Sequence, residues 1–391
     1  MKKIMTGGAV LLISASPLIA GGIERAPQSL SVLFEEGNYA ELSFGGVDPT
    51  VKGQDRTPAA FGGPYRTGDV AQGYGFVGLA YKHQFNNNLS AAVIIEQPFG
   101  ADLLYPTQPG PIPDPAVEAS VLLGGTRVEV NSTTYTALAR YKFDNNFSVH
   151  GGLRGSYADG RVRLAGQGYS SLGRPYDLTI DGEWGVGYVL GAAYEVPEIA
   201  ARVSLTYNSE IEHDFEMTES GAFLPSEVTG DYTVKTPRSW TLEGQTGIAE
   251  GTLLFGSIRW VKWSEFVVDN AVFPIATATP GIIPLVEVED TTTYTIGVGR
   301  KFTENWSGSV SFLYEPDEGD TASPLAPTNG RKAITVAAIY TMNNLKITTG
   351  INYTKLGDAD LGIGESGNKT TVATMDDSDA WGVGVRIGYS F

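Results

Sequence analysis

Read backwards from its end, the chain alternates. Phe391, Tyr389, Ile387, Val385, Val383 and Trp381 fall on one face, and Ser390, Gly388, Arg386, Gly384, Gly382 and Ala380 on the other. Period-two alternation marks a strand with one apolar face. Aromatics at both ends with branched aliphatics between them suit a face turned to lipid, and a small polar face suits a lumen. A soluble sandwich strand also alternates, but it gives no reason for an aromatic last residue on the apolar face. The pattern recurs upstream. Leu345, Ile347, Thr349, Ile351 and Tyr353 alternate with Lys346, Thr348, Gly350, Asn352 and Thr354; Ala201, Val203, Leu205 and Tyr207 alternate with Arg202, Ser204, Thr206 and Asn208. In Thr134–Phe143, Tyr135, Ala137, Ala139, Tyr141 and Phe143 again share one face. The polar faces are too polar for a packed core, so the segments read as a barrel wall.

Tight turns set the number of wall strands. Asn-rich or Asp-rich turns stand at 85–89, 143–147, 302–306 and 341–345, with variants at Glu195-Val196-Pro197-Glu198 and Ala249-Glu250-Gly251. Asn, Asp and Gly tolerate the dihedrals that tight hairpins demand. Six such turns divide the chain into seven two-strand units. The expected fold is all-β, a fourteen-stranded antiparallel transmembrane barrel. Its strands are placed at 38–52, 71–85, 88–97, 127–143, 146–164, 176–195, 199–212, 228–248, 252–266, 289–303, 305–316, 329–341, 344–357 and 370–391.

Composition agrees and narrows the function. Charged residues are 18%, below the roughly 25% of soluble domains. The absence of cysteine removes disulfides, thiol nucleophiles and Cys-based zinc sites. A net charge of −17 argues against nucleic acid as a partner, since phosphate binding needs clustered Lys and Arg. Lys2 and Lys3 before an apolar run ending at Ala20-Gly21-Gly22 read as a secretory signal over residues 1–20. The expected organisation is therefore signal 1–20, a short N-terminal segment 21–37 and a barrel 38–391, exported to the bacterial outer membrane.

The long connections carry the candidate chemistry. Residues 98–126 hold six prolines with Leu103, Leu104, Tyr105 and Ile112, and residues 267–288 hold Phe273, Ile275 and Ile282. Apolar loops on an exported surface are expected either to collect an apolar ligand or to pack together as a lid. Acidic runs at Glu210–Glu219, at Asp317, Glu318 and Asp320, and at Asp376, Asp377 and Asp379 read as charged loops. They suit a solvated surface better than a cation site, and no metal site is expected. The three histidines, His83, His150 and His213, lie far apart and no Gly-x-Ser-x-Gly elbow is present, so no catalytic residues and no enzyme are expected.

The order of features resembles the FadL/TodX family of outer-membrane transporters of long-chain fatty acids and hydrocarbons. The resemblance rests on Trp260-Val261-Lys262-Trp263-Ser264-Glu265-Phe266, on residues 320–330, and on the terminal Gly388-Tyr389-Ser390-Phe391. It implies a fourteen-stranded barrel plugged by an N-terminal hatch, no cofactor, and passive transport. Loops would collect the substrate, the barrel would bind it, and a kinked third strand would release it sideways or to the periplasm. Here the hatch is short and lacks the family's Asn-Pro-Ala tripeptide; its candidate plug residues are Gly22, Ile23 and Phe34. The third strand ends at Gln97-Pro98, the candidate lateral opening. Arg154 and Arg161 are the candidate partners of a carboxylate, and Trp263 is expected in the lumen or in an interface girdle. Expected partners are a hydrophobic small molecule, outer-membrane lipid and lipopolysaccharide, and the barrel-assembly machinery. A hydrophilic porin and a surface receptor or adhesin without transport are the alternatives.

Overall fold

The structure, a computed structural model, describes residues 23–26, 28–268, 285–286, 288–317, 319, 321–365 and 368–391. The signal segment, Gly22, Phe273, Ile275 and Ile282 lie outside the described residues. The strands in chain order are β1 (Tyr39–Thr50), β2 (Gly53–Asp55), β3 (Tyr74–Gln84), β4 (Leu89–Glu96), β5 (Gly100–Leu104), β6 (Arg127–Lys142) and β7 (Phe147–Leu164). There follow β8 (Tyr176–Val196), β9 (Ala201–Asn208), β10 (Ile211–Gly221), β11 (Val228–Thr236), β12 (Ser239–Ala249) and β13 (Thr252–Val261). The last are β14 (Thr291–Lys301), β15 (Trp306–Glu315), β16 (Arg331–Met342), β17 (Leu345–Leu356), β18 (Ala359–Glu365), β19 (Asn368–Met375) and β20 (Asp379–Ser390).

Three pairs of these are single wall strands interrupted once: β4 with β5, β9 with β10, and β11 with β12. Counted so, the described wall is an antiparallel barrel of fourteen strands, closed by β1 on β20 in the register Tyr39↔Ser390 to Thr50↔Asp379. Closure removes the two open edges, which is the condition for a sheet to cross a bilayer. Gly388 lets the closing pair lie flat: a Cβ there would sit 2.0 Å from the Tyr39 hydroxyl.

Outward positions carry large exposed apolar side chains, such as Val77, Leu79, Val186, Leu190, Ile296 and Val336. Only lipid makes such a face stable. Aromatic contacts mark its two limits. At the long-loop end Trp184 touches Tyr135 and Tyr157, Tyr207 touches Trp240, and Tyr353 touches Trp381. At the short-turn end Tyr141, Phe143 and Phe147 cluster, Trp306 meets Tyr340, and Phe391 stacks between Tyr81 and Tyr389. Trp381 near the start of β20 and Phe391 just past its end stand ten positions apart. That suits the roughly 9–11 residues a tilted strand uses to cross hydrocarbon.

Four strand assignments need correction. The third strand does not end at Gln97-Pro98: it resumes beyond them as β5, which pairs with β6 from Gly100 to Leu104, so Leu103 and Leu104 belong to the wall strand and not to the loop expected at 98–126. The acidic run Glu210–Glu219 is no loop: β10 carries Ile211, His213, Phe215 and Met217 inward, with Glu212, Asp214 and Glu216 outward. Its charge masked an alternation that was present. Pro237 interrupts the strand expected at 228–248, because proline cannot donate to the ladder. The strand expected at 370–391 is two: β20 is wall, whereas β19 pairs with β18 and β2 in a small separate sheet.

The long connections pack on one another. Buried apolar residues from all seven form one cluster, including Val51, Leu123, Leu172, Ala222, Trp263, Leu325 and Leu361. This is a lid over the long-loop end of the barrel.

Candidate functional site

The site lies where the third wall strand breaks. Between Thr134↔Glu96 and Asn131↔Gly100, β6 supplies two residues, Ser132 and Thr133, and the third strand supplies three, Gln97, Pro98 and Phe99. One extra residue beside a proline forces a bulge and turns the strand out of register. Ser132 stabilises the bend, accepting the Phe99 N–H at 3.2 Å and donating to the Phe99 carbonyl at 2.7 Å.

The bend costs pairing on the other side. β3 pairs with β4 only up to Leu79↔Ile95. Pairing resumes at Gln72, whose N–H reaches the Asp102 carbonyl at 3.0 Å, and at the Ala71–Leu103 bridge. Between them the ladder is replaced by one side-chain bond, from the Val77 N–H to Gln97 Oε1 at 3.3 Å. A small cavity of about 90 Å³ lies at this seam. It is lined both by lumen-facing Glu41, Gly78 and Glu96 and by lipid-facing Phe44, Val77 and Leu79. Gln97 and Pro98 thus flank a local gap in the wall.

The N-terminal segment sits directly behind that gap. Gly100 N–H donates to the Ile23 carbonyl at 2.7 Å, Arg25 N–H donates to the Pro98 carbonyl at 2.6 Å, and Glu24 bridges Phe99. These bonds supply part of what β3 does not. The Arg25 guanidinium lies 4.7 Å over the Tyr74 ring and against Gly100, where a Cβ would meet it at 2.4 Å. Further along, Leu30, Val32 and Leu33 are buried against Ile94, Leu138 and Val189 of the wall. Phe34 is held between two guanidinium groups, Arg202 at 4.0 Å and Arg140 at 4.5 Å, a cation–π clamp worth about 1–4 kcal/mol for the two contacts. Glu35 pairs with Lys346 at 3.2 Å. Short as it is, the segment crosses the lumen and is fastened at both ends.

One chamber of the lumen, of about 120 Å³, is lined mainly by hydroxyl, amide and charged groups such as Asn208, Thr241, Ser257, Arg259, Thr293 and Arg331, and a larger one, of about 490 Å³, lies at the short-turn end beside Lys82, Arg140 and Glu195. Arg259 is buried; Nη1 donates to Ser239 Oγ at 3.0 Å and Thr241 Oγ1 at 3.1 Å, and Nη2 pairs with Glu24.

The sequence candidates separate on this frame. Arg154 is buried on the inner face of β7, and its Nη2 has no hydrogen-bond partner. Arg161 is a correction: it lies exposed on the outer face. The two are seven positions apart on one strand, and an odd separation puts side chains on opposite faces. Leu103 and Tyr105 are buried in the lid cluster rather than on a collecting surface, and the Tyr105 hydroxyl donates to the Pro324 carbonyl at 2.7 Å. Burial pushes that hydroxyl's pKa well up. Leu104 faces outward. Trp263 is in neither lumen nor girdle; it is buried in the lid, edge-on to Phe99 at 6.1 Å. Ile23 packs on the lid cluster.

Sequence reading missed several contributors. Phe61 and Phe223, with Ile112, are the large apolar side chains most exposed on the lid. Asp55 is fully buried and organises two connections, and Glu24 and Arg25 bind groups remote in sequence.

The sequence pattern of the family described as Outer membrane protein transport protein (OMPP1/FadL/TodX) matches residues 14–391. The chain belongs to the OMPP1/FadL/TodX family. It is an outer-membrane β-barrel of a family of transporters for hydrophobic substrates. Over 228 residues it is 22% identical to a long-chain fatty acid transport protein of Salmonella typhi, a match covering 54% of this chain. The chain spans about half the length of that relative. In fold this OMPP1/FadL/TodX member is similar to a Pseudomonas aeruginosa FadL homologue, with TM-score 0.73, 14% identity and 92% of each chain covered. It is also similar to the Pseudomonas putida toluene transporter TodX, with TM-score 0.60, 12% identity and 92% of each chain covered.

Proposed function

We propose that this protein is a passive channel for hydrophobic and amphipathic small molecules, long-chain fatty acids foremost, with release through the seam between β3 and the third wall strand. The observation that carries this reading is the interrupted ladder at Leu79↔Ile95, with a cavity lined from both faces of the wall. An apolar chain leaving by that route enters lipid without crossing water. Each methylene kept out of water is worth about 0.8 kcal/mol, so the advantage grows with chain length. A carboxylate headgroup is favoured over a neutral end because buried Arg154 offers an unpartnered donor.

A porin keeps an open aqueous column. Here a buried apolar lid and the fastened segment from Glu24 to Glu35 occupy the lumen axis, which supports the apolar route instead. In this reading the exposed Phe61, Ile112, Phe223 and Leu104, together with the apolar stretch holding Phe273, Ile275 and Ile282, form the first contact with substrate. The outward aromatic bands meet outer-membrane lipid and lipopolysaccharide, and the strand ending at Phe391 is the part presented to the barrel-assembly machinery. Cells lacking the protein should take up radiolabelled oleate several-fold more slowly, with small-sugar permeation unchanged and uptake restored by the gene. Free ion or sugar flux through the purified barrel, without oleate binding, would contradict the proposal.

A further inference from the structure

We propose that Lys332 and Lys355, on the outer face of the wall just above its aromatic band, form a binding site for a phosphorylated glycolipid of the outer leaflet. The two ammonium groups take a phosphate, the rings beside them cover the sugar, and the apolar wall below them receives the acyl chains. The inference rests on the outer-membrane barrel alone and goes beyond the channel reading, which it leaves untouched.

Three observations meet here. First, the register sets two cations side by side. Lys332 of β16 stands directly opposite Lys355 of β17, and the alternation of both strands turns them outward. Like charges directly opposite one another destabilise a sheet, so an anion between them is favoured. The protein supplies little of that anion itself. Among the described residues no ion pair holds Lys332; its ammonium lies 6.0 Å from the Tyr314 ring. Lys355 meets Asp377 at 2.6 Å, but that side chain is 86% exposed, and Asp379 is the cross-strand neighbour of Lys355 on β20. An exposed pair contributes little in water, so Lys355 stays open to a phosphate.

Second, the height is that of lipid headgroups. Lys332 is two positions beyond Ile334, and Lys355 two beyond Tyr353, whose ring lies 4.8 Å from that of Trp381 in the outward band. Two strand residues rise about 7 Å, which carries the ammonium groups past the edge of the hydrocarbon. There the anions within reach are lipid phosphates. Elsewhere near that height the outer face carries acids such as Asp48 and Asp159, which repel an anionic headgroup.

Third, the surroundings suit more than a phosphate. Tyr314 and Trp381 are exposed beside the lysines, and below them Ile334, Val336 and Ile351 present an apolar surface. Tyrosine and tryptophan rings join an apolar body to a polar tip, which fits the level where sugar gives way to acyl chain. A free phosphate uses none of these surfaces, and a simple phospholipid has no sugar to lay on the rings.

The test uses the full-length protein purified in detergent, with retention of bisphosphorylated lipid A measured by native mass spectrometry. Wild-type protein should retain lipid A about tenfold better than dephosphorylated lipid A or phosphatidylglycerol, as expected for two lysines at a lipid surface. Lys332→Gln with Lys355→Gln should remove that preference, whereas Lys332→Arg with Lys355→Arg should keep it. Arg161→Gln, on the outer face of β7, should change nothing. Excess inorganic phosphate should not displace the lipid. The comparison of lipids uses unaltered protein, so it decides the matter even where a double variant fails to fold. Equal retention of lipid A and either comparison lipid by the wild type would overturn the inference. So would full retention by the folded glutamine variant, or displacement by inorganic phosphate, which would make this a site for the free ion.

Discussion

The carboxylate of Asp55 accepts the backbone N–H of Val121 at 2.8 Å, joining two connections of the lid that lie 66 positions apart. The same side chain also accepts from the backbone of Thr57, Tyr65 and Leu122 and from the Ser120 hydroxyl. Fully buried, it organises the backbone of both connections as a helix cap organises a helix end.

Asp55→Ala should therefore loosen the lid and spare the wall. Leaving those buried donors unsatisfied costs about 3 kcal/mol or more. Arg56 and Arg66, whose side chains are already exposed, should become rapid trypsin sites in intact cells, while the heat-dependent shift on gels stays as in the wild type. Unchanged trypsin resistance would show that the lid does not depend on this carboxylate.

Arg154→Ala should weaken binding of a fatty-acid carboxylate about tenfold and leave a neutral hydrocarbon unaffected, because only the former presents a charge to pair. Arg161→Ala should change neither, since that side chain points away from the lumen. Equilibrium binding of the two ligand types to the purified variants checks both halves.

A pH dependence is expected at the lid margin. Burial alone would raise the Glu265 carboxyl, but hydrogen bonds from Arg238 and Lys262 outweigh it and hold the pKa below its ordinary 4.5. A lowered carboxyl pKa contributes stability that is fully present well above 4.5 and is lost as pH falls through the lowered value. Hydrogen exchange around Trp263–Glu265 should accelerate on acidification below about 4.5, and Glu265→Gln should flatten that response.

Phe391 is exposed at the short-turn end, stacked on Tyr81 and Tyr389 at about 6 Å. Phe391→Asp should reduce the amount of folded barrel in outer-membrane fractions, measured by the heat-shifted band, because a charge placed on the lipid-facing girdle opposes insertion.

Much of this architecture was legible because a barrel wall is a local pattern. Alternation in Trp381–Phe391 and Asn turns such as Asn343-Asn344 need no distant contact to declare themselves. Where reading failed on the wall, the signal was present but outweighed: Glu212, Asp214 and Glu216 hid the apolar alternation of Ile211, Phe215 and Met217, and the odd spacing of Arg154 and Arg161 already put them on opposite faces. The candidate site was less legible for a physical reason. Gln97-Pro98 announced a break, but the gap depends on where β3 stops pairing, and its covering depends on Glu24 meeting Arg259. Contacts between positions far apart in the chain leave no mark in local periodicity. Asp55 illustrates the same limit, since no residue near it in sequence hints at Val121.

The central claim is that substrate leaves through the seam, and a reversible bond across it tests that most directly. Val77 and Gln97 face one another there, joined by a 3.3 Å hydrogen bond. In the cysteine-free chain, Val77→Cys with Gln97→Cys offers two thiols and no competitors. The oxidised, correctly folded double variant should lose most oleate uptake and regain it on reduction, with either single variant unaffected. Full oleate uptake by the oxidised double variant would contradict the account.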